Sequence, residues 1–228
     1  MSIFFISGID TNIGKTVATG VLAASLHRAG RRVVTAKLIQ TGNDGFSEDL
    51  ERHRRMMNLP PFPEDLEHLT APQIFAFPAS PHLAAEREHR TVDFNAIDRA
   101  LRILAERYET VLLEGAGGLM VPLTADRLTI DWAAERRFPL LLVTSGRLGS
   151  LNHTFLSIEA AVRRKMTVAG VLFNWSPDAD PEIEADAKQM IRRCLVKYGC
   201  APALIEIPHV EGDDAPDVDL SPIFGGAR

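Results

Sequence analysis

Gly8-Ile9-Asp10-Thr11-Asn12-Ile13-Gly14-Lys15-Thr16 follows a short apolar run, Ile3-Phe4-Phe5-Ile6, and leads into a helical pattern that continues to about Ala29. Strand, glycine-bounded loop, Gly-Lys-Thr and helix is the order of a phosphate-binding loop. Glycine lets the backbone turn tightly enough for successive N–H groups to face a phosphate chain. The helix that follows adds free N–H groups and a partial positive charge at its start. Lys15 then reaches the terminal phosphates, and the Thr16 hydroxyl is placed to hold Mg²⁺. The spacer between Gly8 and Gly14 has five residues, one more than the common form of the motif.

The rest of the composition agrees with a single nucleotide-binding domain. The chain has 228 residues, of which 46% are hydrophobic, enough for a substantial core. A formal charge of −5 argues against nucleic acid or an anionic membrane as the main partner. No apolar run approaches the ~20 residues that span a bilayer. The first apolar residues enter the phosphate loop at once and lack a basic region before them, so they are not expected to be a signal peptide. Cys194 and Cys200 have no His or Cys cluster beside them, so free thiols in a reducing cytoplasm are expected rather than a metal site.

Short apolar runs alternate with helical patterns along the chain. Strands are expected at 32–38, 110–113, 139–145, 168–173 and 203–207, and helices at 47–57, 93–108, 129–136, 150–165 and 181–198. Ser47 reads as an N-cap with acidic residues in the first turn behind it. Residues 59–81, rich in proline, read as a loop crossing the surface. The expected fold is α/β: a single-domain, doubly wound, mostly parallel sheet with helices on both faces, of the P-loop NTPase type. The domain is expected over 1–210, with 211–228 an acidic, Gly/Pro-rich tail that is mobile unless it closes over a ligand.

The candidate functional residues fall at the carboxyl ends of these strands. Thr11, Lys15 and Thr16 follow the first, Lys37 and Thr41 the second; Asp49 starts the next helix, and Glu114 ends the strand after it. In a parallel sheet all of these project to one edge, where ligands collect. Glu114 follows four apolar or β-branched residues, so it would sit buried against the phosphate loop, where Mg²⁺ offsets the burial of its charge. Asp49 reads equally as a metal ligand or as a complement to the helix dipole. Lys37 closes a buried strand; it either snorkels to solvent or stabilises charge developing in phosphoryl transfer. Asn174 either reads a base edge or serves an ordinary turn. Gly149-Ser150-Leu151-Asn152-His153 opens a helix and is either a second anion site or a plain capped start. His82 and His153 read as local hydrogen-bonding groups, and Trp132 and Trp175 as packing groups.

With these residues assembled, the chain resembles the dethiobiotin synthetases of the biotin pathway. The matching blocks run from Gly8 to about Val210: GIDTNIGKT at 8–16 with its five-residue spacer, KLIQTG at 37–42, FPASPHLAA at 77–85, EGAGGLMVPL at 114–123, GRLGSLNH at 146–153 and IPHV at 207–210. The resemblance implies an ATP-dependent ligase. In that family 7,8-diaminononanoate takes up CO₂, or bicarbonate, as a carbamate, ATP phosphorylates the carbamate, and the second amine attacks to give dethiobiotin, ADP and phosphate. By the same resemblance Lys37, Lys15 and Thr11 are catalytic. Asn12, Ile13, Gly14, Lys15, Thr16, Val17, Asp49, Glu114, Gly115, Ala116, Gly117, Asn174, Trp175, Pro208, His209 and Val210 contact the nucleotide. Thr16, Asp49 and Glu114 hold Mg²⁺. Thr41 and Lys37 face the substrate, and Gly149, Ser150, Leu151 and Asn152 take its carboxylate from a partner subunit, which implies a homodimer.

Three positions depart from the family pattern: Asn12 where an acidic residue is frequent, Leu38 for a frequent proline, and Trp175 where an acidic residue often follows the asparagine. Two other readings share the fold. A MinD- or ParA-like ATPase switch normally carries a second lysine early in the loop, where this chain has Ile9, Asp10 and Thr11. The amidating domain of cobyrinate synthases usually comes with a glutaminase domain, for which this chain has no room.

Overall fold

The computed structural model describes residues 2–175 and 179–225; the end of the acidic segment, 226–228, lies outside the described residues. In chain order, β1 (Ser2–Gly8) leads through the loop to α1 (Lys15–Arg28), and β2 (Val33–Lys37) follows. Next come β3 (Gln40–Thr41), α2 (Glu48–Met56), the one-turn α3 (Pro63–Leu66), β4 (Ile74–Phe75), α4 (Pro81–Arg87) and α5 (Phe94–Arg107). β5 (Thr110–Gly118), a ribbon of β6 (Pro122–Thr124) and β7 (Arg127–Leu128), and α6 (Thr129–Glu135) complete the middle of the chain. The last part alternates β8 (Leu140–Ser145), α7 (Ser150–Arg163), β9 (Val168–Asn174), α8 (Pro181–Lys197), β10 (Leu204–Ile207) and the short α9 (Ser221–Phe224).

Six strands form one parallel sheet in the order β10-β9-β8-β1-β5-β2. Alternate residues point to opposite faces, so neighbours along a strand serve different cores. Phe5, Val111 and Leu142 join Trp132 on one face, while Ile6, Leu112 and Leu141 join Leu22 of α1 on the other. Burial on both faces explains the continuous apolar runs in the sequence. From β1 the chain winds first toward β2 and later toward β10. The winding reverses at β1, which opens a crevice at its carboxyl end. The phosphate loop emerges there.

Three expectations about the chain need correction. Residues 59–81 do not cross the surface as a loop: Thr70, Ala71, Gln73 and Phe75 are buried. Their backbone lines up beside the strand-end segment, with Lys37 N donating to Thr70 O at 2.6 Å and Gln40 N to Gln73 O at 2.9 Å. The strand expected at 110–113 is longer than that: as β5 it continues through Glu114 and the glycines behind it to Gly118. The acidic C-terminal segment is not free either. Ala215 and Leu220 are buried in the same cluster as Ala18, Val21 and Leu22 of α1. Arg28 Nε binds Asp217 Oδ1 at 2.6 Å, and Phe224 packs on Phe4 with ring centroids 5.0 Å apart. This cover explains why Ala18 to Leu26 are buried without a break.

Candidate functional site

Gly14 is the N-cap of α1 in the left-handed region, at φ 88°. A β-carbon at this position would lie 2.4 Å from Asn174 Nδ2, and one at Gly8 would lie 2.6 Å from Ile13 Cγ2. Both glycines are therefore needed for the loop to close onto β9. Asn174 completes the contact: its Nδ2 donates to Ile13 O at 2.6 Å and to Gly14 O at 3.2 Å. Asn174 Oδ1 is buried and has no partner among the described residues.

Beside the loop, α1, β2, β5 and α2 bring five polar side chains together. Thr16 Oγ1 donates to Asp49 Oδ1 at 2.8 Å and lies 3.2 Å from Glu114 Oε1. Lys37 Nζ donates to Glu114 Oε1 at 2.7 Å and also pairs with Asp49 Oδ2. Burial drives the Glu114 carboxyl toward protonation, but the charges and contacts of Lys37 and His53 together outweigh it and hold the group well below the usual carboxylate range. Burial likewise opposes the charge of Lys37, yet Glu114 and Asp49 together raise its pKa, so it stays an ammonium. Lys15 is mostly buried, and this burial lowers its pKa. Its Nζ donates to Asp10 O at 3.2 Å.

Two chambers flank the loop. One, of about 460 Å³, is lined by Thr11, Asn12, Gly14, Lys15, Thr16, Val17, Lys37, Thr41, Asp49, Glu114, Ala116 and Gly117, and also by Ile39, Gln40 and Arg52. The other, of about 280 Å³, is lined by Asn12, Ile13, Gly14, Val17, Asn174, Trp175, Pro208, His209 and Val210, together with Ser145 and Arg147. Trp175 and His209 meet edge to face at 5.8 Å. Nearly all the residues expected at a nucleotide site thus stand around these two spaces. Gly115 does not line either; its Cα faces Phe5, 2.9 Å from where a β-carbon would sit. Gly149, Ser150, Leu151 and Asn152 also stay outside, with Ser150 buried and its Oγ 3.2 Å from Ser145 Oγ. His82 binds Ser80 Oγ locally at 3.0 Å, as expected.

The sequence reading passed over the inner face of α2. His53 is fully buried, with Nε2 3.2 Å from Glu114 Oε2, although neither atom makes a well-aligned hydrogen bond. Arg52 lines the larger chamber. The spacing of Asp49, Arg52 and His53 at three and four residues would have placed them on one helix face.

The fold alone relates the chain to partitioning ATPases. A ParA family ATPase from Chlorobium tepidum superposes with a TM-score of 0.52 at 13% identity, covering 92% of this chain and 85% of that one. MinD in the Aquifex aeolicus MinC:MinD complex gives 0.52 at 12%, covering 92% and 82%. An AAA domain family model matches residues 3–216. Sequence goes further than fold. ATP-dependent dethiobiotin synthetase BioD 2 of Pasteurella multocida is 44% identical over 196 residues, covering 86% of this chain and 92% of its own. The BioD of Chlorobaculum tepidum is 44% identical over 219 residues, with coverage of 96% and 92%. The BioD 2 of Haemophilus influenzae reaches 48% over 178 residues, covering 78% and 93%. The chain belongs to the dethiobiotin synthetase family.

As a dethiobiotin synthetase the chain presents two lysines, two carboxylates and a threonine hydroxyl around one space, a set suited to moving a phosphoryl group between anions. Among the described residues no group of three or more His, Cys, Asp and Glu side chains could hold a metal ion. The hard-oxygen set here is two carboxylates and a hydroxyl, which suits an ion that takes its remaining ligands from phosphate and water. Among the described residues no helix is long and apolar enough to cross a membrane. Both cysteines are free thiols, and burial pushes them upward in pKa.

Proposed function

We propose that this synthetase closes a cyclic urea on 7,8-diaminononanoate at the larger chamber. One amine of the diamine and CO₂ form a carbamate. A carbamate oxygen takes the terminal phosphoryl group of ATP, releasing ADP and giving a carbamic–phosphoric anhydride. The second amine then attacks the anhydride carbon; a C–N bond forms, the C–O bond to phosphate breaks, and phosphate leaves with the electron pair. The observation that carries this reading is Lys37, a buried ammonium at the mouth of the phosphate loop. It stands where charge spreads between carbamate and phosphate, while Lys15 steadies the phosphate chain. Thr11 and Thr41 line the same space and supply hydroxyls to the diamine and its carbamate.

Thr16, Asp49 and Glu114 would hold Mg²⁺, their oxygens already lying within hydrogen-bond reach of one another. When bound, that ion neutralises phosphate charge. Lys37, paired with both carboxylates in this structure, would then be freed to face the transferring group. The loop at Gly149–Asn152 lines neither chamber, and two exposed apolar side chains lie beside it in sequence or on the helix it opens: Leu148 at 84% exposed and Leu156 at 58%. A homodimer that covers them would bring this loop to the partner's substrate. The cytoplasm, where ATP and reduced thiols coexist, is the compartment this chemistry suits.

The base-side chamber favours adenine. With Nδ2 of Asn174 committed to two loop carbonyls, only the acceptor Oδ1 remains. An acceptor suits an exocyclic amino group and leaves a guanine carbonyl unpaired. KM for ATP should lie about tenfold or more below KM for GTP. Equal values for the two nucleotides would remove Asn174 from base selection.

Phosphate release measured with Mg-ATP, with and without diaminononanoate and bicarbonate, tests the whole reading. Release should require both, with dethiobiotin formed in step. Slow release indifferent to both would return the ATPase switch to the front.

A further inference from the structure

One cation of the larger chamber has no task in the reaction as described. Arg52 shares that chamber with Lys15 and Lys37 and stands one helical turn after Asp49, on the same side of α2. Its guanidinium is held from behind: Nε lies 3.3 Å from Asp213 Oδ1, and Nη2 donates to Gly212 O at 3.4 Å. Asp213 is itself anchored by Arg55 Nε, 2.5 Å from Oδ2.

The chain reaches Asp213 directly from Pro208, His209 and Val210, the wall of the base-side chamber. Beyond Asp213 it continues into the segment clamped on α1. Residues 208–213 therefore join the two chambers, with the base wall at one end and the holder of Arg52 at the other. A partly exposed pair of this kind contributes little to stability. Arg55 already fastens Asp213, and Asp217 with Phe224 fastens the segment beyond it. Holding the tail therefore does not account for Arg52.

A planar guanidinium on the wall of a phosphate chamber matches phosphate oxygens in fork geometry. Its holders follow the base wall by two and three residues, which places it toward the nucleotide. We propose that Arg52 binds the polyphosphate of the nucleotide and that Asp213 positions it, so that the C-terminal segment belongs to the active site. The inference rests on the nucleotide reading given above.

Calorimetric titration of the full-length chain with Mg-ATP, without diamine, tests it. Arg52→Ala should weaken binding about tenfold, as loss of a charged hydrogen-bonding partner does. Arg52→Lys keeps the charge without the fork and should recover part of that loss. Asp213→Asn should weaken binding about threefold, and the double variant should bind no more weakly than Arg52→Ala alone, because the two act as one unit. Arg55→Ala removes the anchor of Asp213 but leaves its carboxylate on Arg52, so its loss of affinity should be smaller than that of Asp213→Asn.

Unchanged affinity in Arg52→Ala, tighter binding in Asp213→Asn, additive losses, or an Arg55→Ala variant as weak as Asp213→Asn would each overturn the proposal. A rise in KM for the diamine with ATP affinity unaltered would move Arg52 to the carbamate and overturn the polyphosphate assignment. A wild type that binds Mg-ATP but ignores the diamine would defeat the synthetase reading and leave this cycle intact.

Discussion

Lys37→Ala should lower turnover by about a thousandfold, as loss of a group aimed at developing charge does, and leave ATP affinity within a few-fold of wild type. On the proposed reading the ammonium contributes where charge spreads in the transition state, while Lys15, the loop amides and Asn174 would hold the ground-state nucleotide. The structure adds a second consequence. Lys37 is the nearest counter-charge of a fully buried Glu114, and without it that carboxylate keeps Thr16, the poorly aligned His53 and the charge of Lys15. Breaking a buried pair from one side costs about 3–5 kcal/mol, so the variant should melt well below wild type. Mg²⁺ with nucleotide supplies positive charge to the same carboxylate, so the gap in melting temperature should narrow when Mg-ATP is added. Single-turnover ADP formation and melting curves with and without Mg-ATP separate the two effects. Near-normal turnover would remove Lys37 from the reaction.

Arg54→Ala should cost about 3–5 kcal/mol, again as one half of a buried pair, without contact with either chamber. Arg54 is buried on α2 and donates two parallel hydrogen bonds to Asp65, Nε to Oδ2 and Nη2 to Oδ1, both at 2.8 Å. Nη1 also donates to Thr35 Oγ1 at 2.7 Å, and the guanidinium lies 4.3 Å from the centre of the Phe62 ring. One side chain thus ties α2 to β2 and α3. Burial pushes the Asp65 carboxyl up, but the hydrogen bonds and charge of Arg54, with further bonds from Thr70 and the Phe62 N–H, together outweigh it and hold the group low. A depressed folded value stabilises above the unfolded pKa, near 4, and that stability is lost as pH falls through the folded value. The difference between wild type and Arg54→Ala should therefore be largest near neutral pH and shrink in acid. Urea unfolding at pH 7 and pH 3 reads both quantities; a difference independent of pH would show that Asp65 does not mediate it.

The parallel sheet was legible because strands buried on both faces cannot hide their apolar runs. Lys37 and Glu114 were legible for the complementary reason, a charge at the end of such a run. The face of α2 was not. Ser-Glu-Asp-Leu-Glu-Arg-His-Arg-Arg has the look of a solvated helix, and the partners that bury or hold it, Asp65, Thr35 and Asp213, lie far off in sequence. Residues 70–75 failed as a surface loop for a similar reason: prolines report local stiffness, whereas the backbone pairing with 37–43 is decided by tertiary docking. The acidic tail misled because its charges suggest solvation, while its few apolar residues, Ala215 and Leu220, are the ones that cover α1.

The clasp of Asn174 on the carbonyls of Ile13 and Gly14 sets a limit on how this enzyme can be re-engineered. The residue best placed to change which nucleobase is accepted is also a rivet of the loop that grips every nucleotide. A swap at position 174 would therefore blur grip and choice together. A new specificity would have to be built from Trp175 or His209, which line the same chamber and pack on each other rather than on the loop carbonyls.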